Sequence, residues 1–264
     1  MIISSYIFAN VLTSNLLKMK KILCIFSALT LVLISSCSND DSSSNSSEGV
    51  LLKKRIQTGS DTEENLTINY TYDGNKLISI IDNTKVLNIY VTYTGNLITK
   101  LEYKYANGTI EQSESYAYNS DGKVVTYIRV EPEDGLGSKE VYTYNADGSV
   151  AVKNYSGDEI SQTLFDGEGK VTFVNGEISE ITSTSGEHHK YTYDTKNNPF
   201  KNVLGWGKIA LTAGDAFGIL HNILTDSVDN ELWTNSTFTY NENGYPVKEV
   251  NTGTDNSGTT EYFY

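Results

Sequence analysis

The stretch YTYNADGSV, Tyr142 to Val150, decides the fold, because relatives of it recur along the chain: YTYDGNKL from Tyr70, YAYNSDGKV from Tyr116, YTYDTKNN from Tyr191 and FTYNENGYPV from Phe238. Each has an aromatic-x-aromatic pair, then Asp or Asn, a few polar residues with Gly, and a return to apolar residues. Residues i and i+2 share one face of a strand, so the two aromatics lie together on one side of a β-strand end. The Asp-Gly and Asn-Gly steps that follow, Asp73-Gly74, Asp121-Gly122, Asp147-Gly148 and Asn175-Gly176, are those that two-residue hairpin turns favour, since such turns need positive φ. Every unit therefore reads as strand, tight turn and return strand.

With the second aromatic as marker, Tyr72, Tyr93, Tyr118, Tyr144, Phe165, Tyr193 and Tyr240 are separated by 21, 25, 26, 21, 28 and 47 residues. A period in the twenties is the mark of an array of supersecondary units. The sequence predicts an all-β domain over residues 50–264: an antiparallel meander of hairpins curled into a barrel-like or open-shell sheet, with one short helical insertion near 200–225. Twelve of the 19 tyrosines fall in the strand ends, where cross-strand aromatic pairs contribute about 0.2–1 kcal/mol each. An aromatic ladder accounts for them; a sugar-stacking platform is the functional alternative.

Upstream of this domain, MKKILCIFSALTLVLISSC has the parts of a secretory signal in order. Lys20 and Lys21 precede a mostly apolar core from Ile22 to Ile34, and Ser35-Ser36 are the small residues before a cleavage point. That core is too short to span a bilayer, which takes about 20 residues. Met19 is the better start of translation, so 1–36 is read as the signal region. Cys24 and Cys37 are the only cysteines; the mature chain keeps one and forms no internal disulfide. Lipidation explains that lone thiol, and more than one acyl chain anchors stably because each buried methylene contributes about 0.8 kcal/mol. Residues 37–49 then form the lipidated cysteine and a tether whose SNDDSSSNSSEG lacks apolar residues and cannot offset its ordering entropy.

Removing 1–36 leaves 17 basic and 33 acidic residues, a formal charge of −16. That excludes nucleic acid, whose phosphates call for a basic patch, and electrostatic docking on anionic lipid. The expected partners are the membrane, through acyl chains on Cys37, and a glycan or an envelope protein. The expected address is the outer membrane, lipid-anchored and facing the cell surface.

The Tyr-x-Tyr-Asp/Asn-x-x-Gly units resemble the YD repeats of Rhs-type shell proteins. Together with Ile34-Ser35-Ser36-Cys37, which resembles a lipobox, the serine-rich tether and YTYDTKNNPFKNVLG (Tyr191 to Gly205), they resemble a family of uncharacterised Bacteroidota-type lipoproteins. Asp40-Asp41 resembles the acidic export signal of their surface-exposed members. The resemblance implies an antiparallel sheet in barrel-like or open-shell form and implies no activity.

Chemistry has few places to reside. The 47-residue gap between Tyr193 and Tyr240 holds NNPFKNVLGWGKIALTAGDAFGILHNIL, where Thr212 or Asp215 would cap a helix carrying Phe217, Leu220 and Leu224. Trp206 between two glycines reads either as an exposed binding aromatic or as part of a plug over an open end of the sheet. Trp206, Tyr191, Tyr193 and Trp233 are the candidate ligand-binding residues. His188 and His189 face opposite sides of a strand and cannot chelate one ion together. His221, six residues after Asp215, is a candidate acid/base partner and more simply a satisfied side chain at a helix end. The acidic turns fail the twelve-residue calcium loop, since counting from Asp166 puts Val171 rather than Gly at position six. With no catalytic motif, the sequence assigns no catalytic residue, metal ligand or cofactor. It points to a non-enzymatic binding or envelope-structural module; the alternative is a polysaccharide-acting hydrolase with its site on the 198–230 insertion.

Overall fold

The computed structural model describes residues 49–59, 66–184, 186–253 and 257–264, which all belong to one compact unit. The signal region, Cys37 and the tether through Glu48 lie outside the described residues. Sixteen strands run in chain order: β1 (Lys54–Gly59), β2 (Leu66–Asp73), β3 (Lys76–Asp82), β4 (Leu87–Thr94), β5 (Leu97–Tyr105), β6 (Ile110–Tyr118), β7 (Val124–Glu131), β8 (Leu136–Tyr144), β9 (Val150–Gly157), β10 (Gln162–Val174), β11 (Glu177–Ser183), β12 (His189–Tyr193), β13 (Ile223–Val228), β14 (Glu231–Tyr240), β15 (Pro246–Gly253) and β16 (Gly258–Phe263). Each pairs antiparallel with its neighbours in sequence, and β16 returns to β1 through pairs such as Arg55 with Tyr262, so the meander closes into a barrel. Closure satisfies the edge strands that an open shell would leave bare.

The repeat unit is a hairpin, and its turn chemistry is more varied than a single turn type. Asn175-Gly176, at φ 53° and 84°, and Asp229-Asn230, at 51° and 70°, have both central residues at positive φ, as a type I′ turn needs. At Gly74-Asn75 and Gly95-Asn96 the glycine comes first, with φ of 56° and 60°. At Asn119 and Asn145 the asparagine N–H instead bonds the carbonyls of Lys123 and Ser149 around a longer loop, with Gly122 and Gly148 at positive φ. The Asn119 side chain accepts from the N–H groups of Asp121 and Lys123, at 3.0 Å each, which is why Asx residues hold this position.

Two expectations are corrected. Phe165 is not a turn marker: it lies in mid-strand on β10, 55% exposed, beside a register shift at Gly167. The equivalent of Tyr144 in that hairpin is Phe173, immediately before Val174, Asn175 and Gly176. The helical insertion near 200–225 is also absent apart from a single 3-10 turn, Trp206–Lys208. Leu224 belongs to β13, and turns glycine-rich at Gly214 and Gly218 replace the helix that Thr212 or Asp215 would have capped.

The second tyrosine of most units has a specific task, Tyr93 and Tyr240 bonding instead to Leu204 and Asp194 of the β12–β13 connection. Tyr118 donates its hydroxyl to the carbonyl of Ile98 at 2.5 Å, Tyr144 to Val124 at 3.0 Å, Tyr193 to Ile178 at 2.7 Å, Tyr72 to Leu52 at 2.8 Å and Tyr264 to Pro246 at 3.0 Å. The acceptors Ile98, Val124, Ile178 and Pro246 lie at the start of the preceding return strand, and Leu52 just before β1, so each hydroxyl ties its hairpin to the segment before it. The Tyr72 bond carries the pattern across the junction where the barrel closes. The first aromatics, among them Tyr70, Tyr116, Tyr142 and Tyr191, are buried.

Alternation along the strands sorts the two faces. Inward positions hold Ile68, Leu77, Ile80, Val91, Leu101, Tyr103, Val124, Tyr127 and Val150, all buried. Outward positions hold Thr71, Thr92, Thr143, Lys153, Glu168, Lys190, Thr237, Lys248 and Glu261, all exposed. Register brings opposite charges together on the outside: Lys153 pairs with Glu168, and Lys248 with Glu261.

Candidate functional site

The connection between β12 and β13, residues 194–222, lies across the barrel end formed by the Tyr-Asx turns. Its Leu204 N–H bonds Asn75 O at 2.9 Å, Leu204 O accepts from Tyr93 at 3.1 Å, and Lys208 Nζ reaches Gly122 O at 2.9 Å. Asn197 N–H meets Gly244 O, and Asn202 Nδ2 meets both Val50 O and Tyr245 Oη. Gly205, at φ 77°, permits a close approach: a Cβ there would sit 3.1 Å from Asn96 O. The connection is a plug, pinned to hairpins on all sides.

Trp206 belongs to the filling of that plug. It is 2% exposed, stacks on Phe200 with ring centroids 5.0 Å apart, and meets Phe217 at 5.4 Å. Val203, Ile209 and Leu211 are buried with it. The expectation of an exposed binding ring at Trp206 is therefore corrected: the flanking glycines give close packing, not presentation to solvent. Trp233 is half-buried on β14, and Tyr193 is half-buried with its hydroxyl committed to Ile178. The structure does not bring Trp206, Trp233 and Tyr191 into one binding face.

Carboxylates do the plug's anchoring. Glu177, 3% exposed at the start of β11, accepts the backbone N–H groups of Ile219, Leu220 and His221 at 2.9, 2.7 and 2.8 Å, and contacts His221 Nδ1 at 3.1 Å. His221 thus partners Glu177, not Asp215. Glu140 on β8 accepts from the Ala213 N–H at 3.1 Å and from the Tyr142 hydroxyl. Burial pushes the Glu140 carboxyl up to about 7, against the lowering effect of these two donors. Deeper in the same wall, Glu114 is buried and accepts from Tyr103, Gln112 and Tyr116. Burial also raises this carboxyl.

A second cluster joins plug and wall. His189 and Tyr191 lie on the inward face of β12 with their rings stacked, 5.8 Å between centroids and 9° apart. His189 Nδ1 lies 3.0 Å from Asp226 Oδ2, across the β12–β13 pair. The Tyr191 hydroxyl donates to Asp215 Oδ1 at 2.5 Å, and the Ala216 N–H donates to the same oxygen at 2.7 Å. One donor atom from each of His189, Asp215 and Asp226 lies within 4.8 Å of the others. Burial raises the Asp215 carboxyl, with the Tyr191 hydrogen bond and then the His189 charge opposing the rise. For His189 burial disfavours the charged form, but the Asp226 hydrogen bond and charge outweigh it and the imidazole is raised. His188 faces the other way, to Glu180 at 2.7 Å, as strand alternation requires.

The sequence reading assigned no metal ligand, yet these three residues could hold a cation. Alternation alone places His189 inward beside Tyr191. It does not place Asp226, because a 29-residue connection hides the register, nor Asp215, which stands in an aperiodic loop.

No protein-family model and no curated protein matches the chain. Among solved structures, the chain is similar to a porin-like protein from Bacteroides vulgatus, with 14% identity, TM-score 0.52, and coverage of 82% of this chain and 99% of that one. A porin-like protein from Bacteroides uniformis is 12% identical with TM-score 0.49, covering 80% and 95%. The first likeness bears on fold: the class defined here is the closed, antiparallel, up-and-down β-barrel.

Proposed function

We propose that this chain is a lipid-anchored outer-membrane lipoprotein, a non-enzymatic binding or envelope-structural module whose barrel stands on the bilayer rather than in it. The observation that carries the reading is the sense of the strand alternation. A membrane-spanning barrel turns an apolar band about 25 Å tall outward and keeps polar residues inside. Here aliphatic residues and tyrosines such as Ile68, Val91, Val152 and Tyr191 point inward together with buried polar groups such as Gln112, Glu114 and Asp226, while Thr, Lys and Glu point outward among a few exposed apolar residues such as Leu232 and Val250. A lysine on the lipid face costs roughly 2–4 kcal/mol at the bilayer midplane, and outward Lys100, Lys153, Lys190 and Lys248 repeat that cost around the wall.

If the barrel does not hold itself in the membrane, something else must, and Cys37 with its lipobox-like Ile34-Ser35-Ser36 supplies the anchor. The acidic Asp40-Asp41 supports a surface-facing address, and a glycan or another envelope protein is the ligand class. The resemblance to repeat-bearing lipoproteins fits the same reading.

The test is fractionation of cells expressing the wild type and Cys37→Ala. The wild type is expected with the outer membrane, extracted only by detergent, and the variant in the soluble fraction with its barrel folded. A Cys37→Ala chain that stays integral to the membrane would overturn the reading. Protease shaving of intact cells then separates a surface-facing barrel, which is cleaved, from a periplasm-facing one.

A further inference from the structure

We propose that His189, Asp215 and Asp226 form a binding site for a first-row divalent cation of the zinc or manganese class, and that the bound ion locks the plug to the barrel wall. The three donors come from three elements: His189 from β12, Asp226 from β13 and Asp215 from the plug. An imidazole nitrogen with two carboxylates is a donor set for zinc, manganese or their neighbours. Calcium instead takes six to eight oxygens.

The geometry is close to what an ion requires. Bonds of about 2.0–2.2 Å hold tetrahedral donors roughly 3.2–3.5 Å apart. His189 Nδ1 and Asp226 Oδ2, at 3.0 Å, need move apart by only a few tenths of an ångström, so that the ion takes the place of the proton between them. With all three donor atoms within 4.8 Å, a side-chain adjustment of about an ångström closes the third side.

Charge and support point the same way. His189 is 3% exposed and Asp226 9%, and the ion pairs described for either carboxylate involve no Lys or Arg. One imidazolium cannot neutralise two buried carboxylates, whereas a divalent cation can. Metal ligands are characteristically oriented by hydrogen bonds from a surrounding shell. Tyr191 fills that role twice, donating to Asp215 and stacking on the His189 ring. Glu187 Oε2, 3.5 Å from His189 Nε2, orients the imidazole from its other edge.

The experiment is titration calorimetry of the full chain, purified in mild detergent through a histidine-free tag, with zinc, manganese and calcium chlorides. Zinc or manganese is expected to bind at one equivalent, with calcium at least about tenfold weaker. Asp215→Asn and Asp226→Asn should each abolish that event, and Tyr191→Phe should weaken it by about tenfold to 100-fold. His188→Ala, a histidine on the outer face, should leave it intact. Asp215→Asn sits in the plug outside the strands, so a folded circular-dichroism spectrum keeps the comparison valid if His189 or Asp226 variants fail to fold. X-ray absorption on the zinc-loaded chain should show one nitrogen among oxygen ligands. No binding to the wild type, binding undiminished in folded Asp215→Asn, or an all-oxygen shell would each overturn the site.

Discussion

The hydroxyl of Tyr144 lies 3.0 Å from the carbonyl oxygen of Val124, twenty residues earlier and at the start of the preceding hairpin's return strand. The same relationship joins Tyr118 to Ile98 and Tyr72 to Leu52. It gives the repeat a physical cause. A phenylalanine would supply the ring, but only tyrosine adds a hydroxyl that donates to that carbonyl. At Tyr93 the same hydroxyl both accepts from the Leu77 N–H and donates to Leu204 O, so one ring ties two hairpins and the plug.

Removing one such hydroxyl should therefore be felt as the loss of a single hydrogen bond. Tyr144→Phe is expected to lower stability by about 0.5–1.5 kcal/mol, a fall of roughly 2–4 °C per kcal/mol in Tm for a domain of this size. Tyr93→Phe, which removes two bonds, should cost more. Differential scanning calorimetry of the two variants checks the order, and equal shifts would contradict it.

How much of this was legible beforehand differs by residue. Local signals were strong: Tyr142-Thr143-Tyr144 followed by Asn145 and Gly148 announces a hairpin, because alternation and turn chemistry act within ten residues. Closure was not legible, since the pairing of Lys54 with Phe263 depends on the accumulated twist of all the strands between them. Phe165 misled for a related reason. Asp166-Gly167 after an aromatic has the composition of a turn, but at φ 142° Gly167 serves a bulge in an extended strand. The plug's contents were visible as an apolar run, whereas its lack of helix follows from backbone N–H groups finding better partners in Glu177 than in a helical turn.

Glu177 carries enough bonds that its removal should loosen the plug before the barrel. Hydrogen bonds to charged groups contribute about 1.5–3 kcal/mol, and three N–H groups converge on this carboxylate. Glu177→Gln is expected to speed amide exchange at residues 219–221 roughly tenfold or more while leaving strand amides such as Leu101 and Val124 protected. Uniform acceleration everywhere would show that plug and barrel unfold as one.

Stability should also depend on pH through Glu140. Its folded carboxyl titrates at about 7, above its ordinary value near 4.5, so the protonated form is favoured by folding. That contribution is fully present below pH 4.5 and is lost as pH rises through 7. With about 1.4 kcal/mol per unit, the loss amounts to at most about 3.5 kcal/mol. Urea denaturation at pH 5 and pH 8 should show the wild type weakening at the higher pH and Glu140→Gln weakening less. A Glu140→Gln chain with the same pH slope would mean that another group sets it.

The outward face of β14 offers the sharpest contrast between a barrel in water and one in lipid. Thr237 is exposed and pairs with Val250 on the outer surface. In water, a surface substitution away from special features stays within about 0.5 kcal/mol, so Thr237→Lys should leave the denaturation midpoint nearly unchanged. In hydrocarbon the same lysine costs about 2–4 kcal/mol near the midplane, because its desolvation has no partner to offset it. Equilibrium unfolding of Thr237→Lys in detergent-free buffer, on the Cys37→Ala background, measures the difference directly. A near-zero change there, with the chain soluble, is the outcome expected if the inward-facing Tyr103, Tyr127 and Leu101 supply the sheet's apolar side; a chain that unfolds or aggregates without detergent would point to a barrel held in lipid.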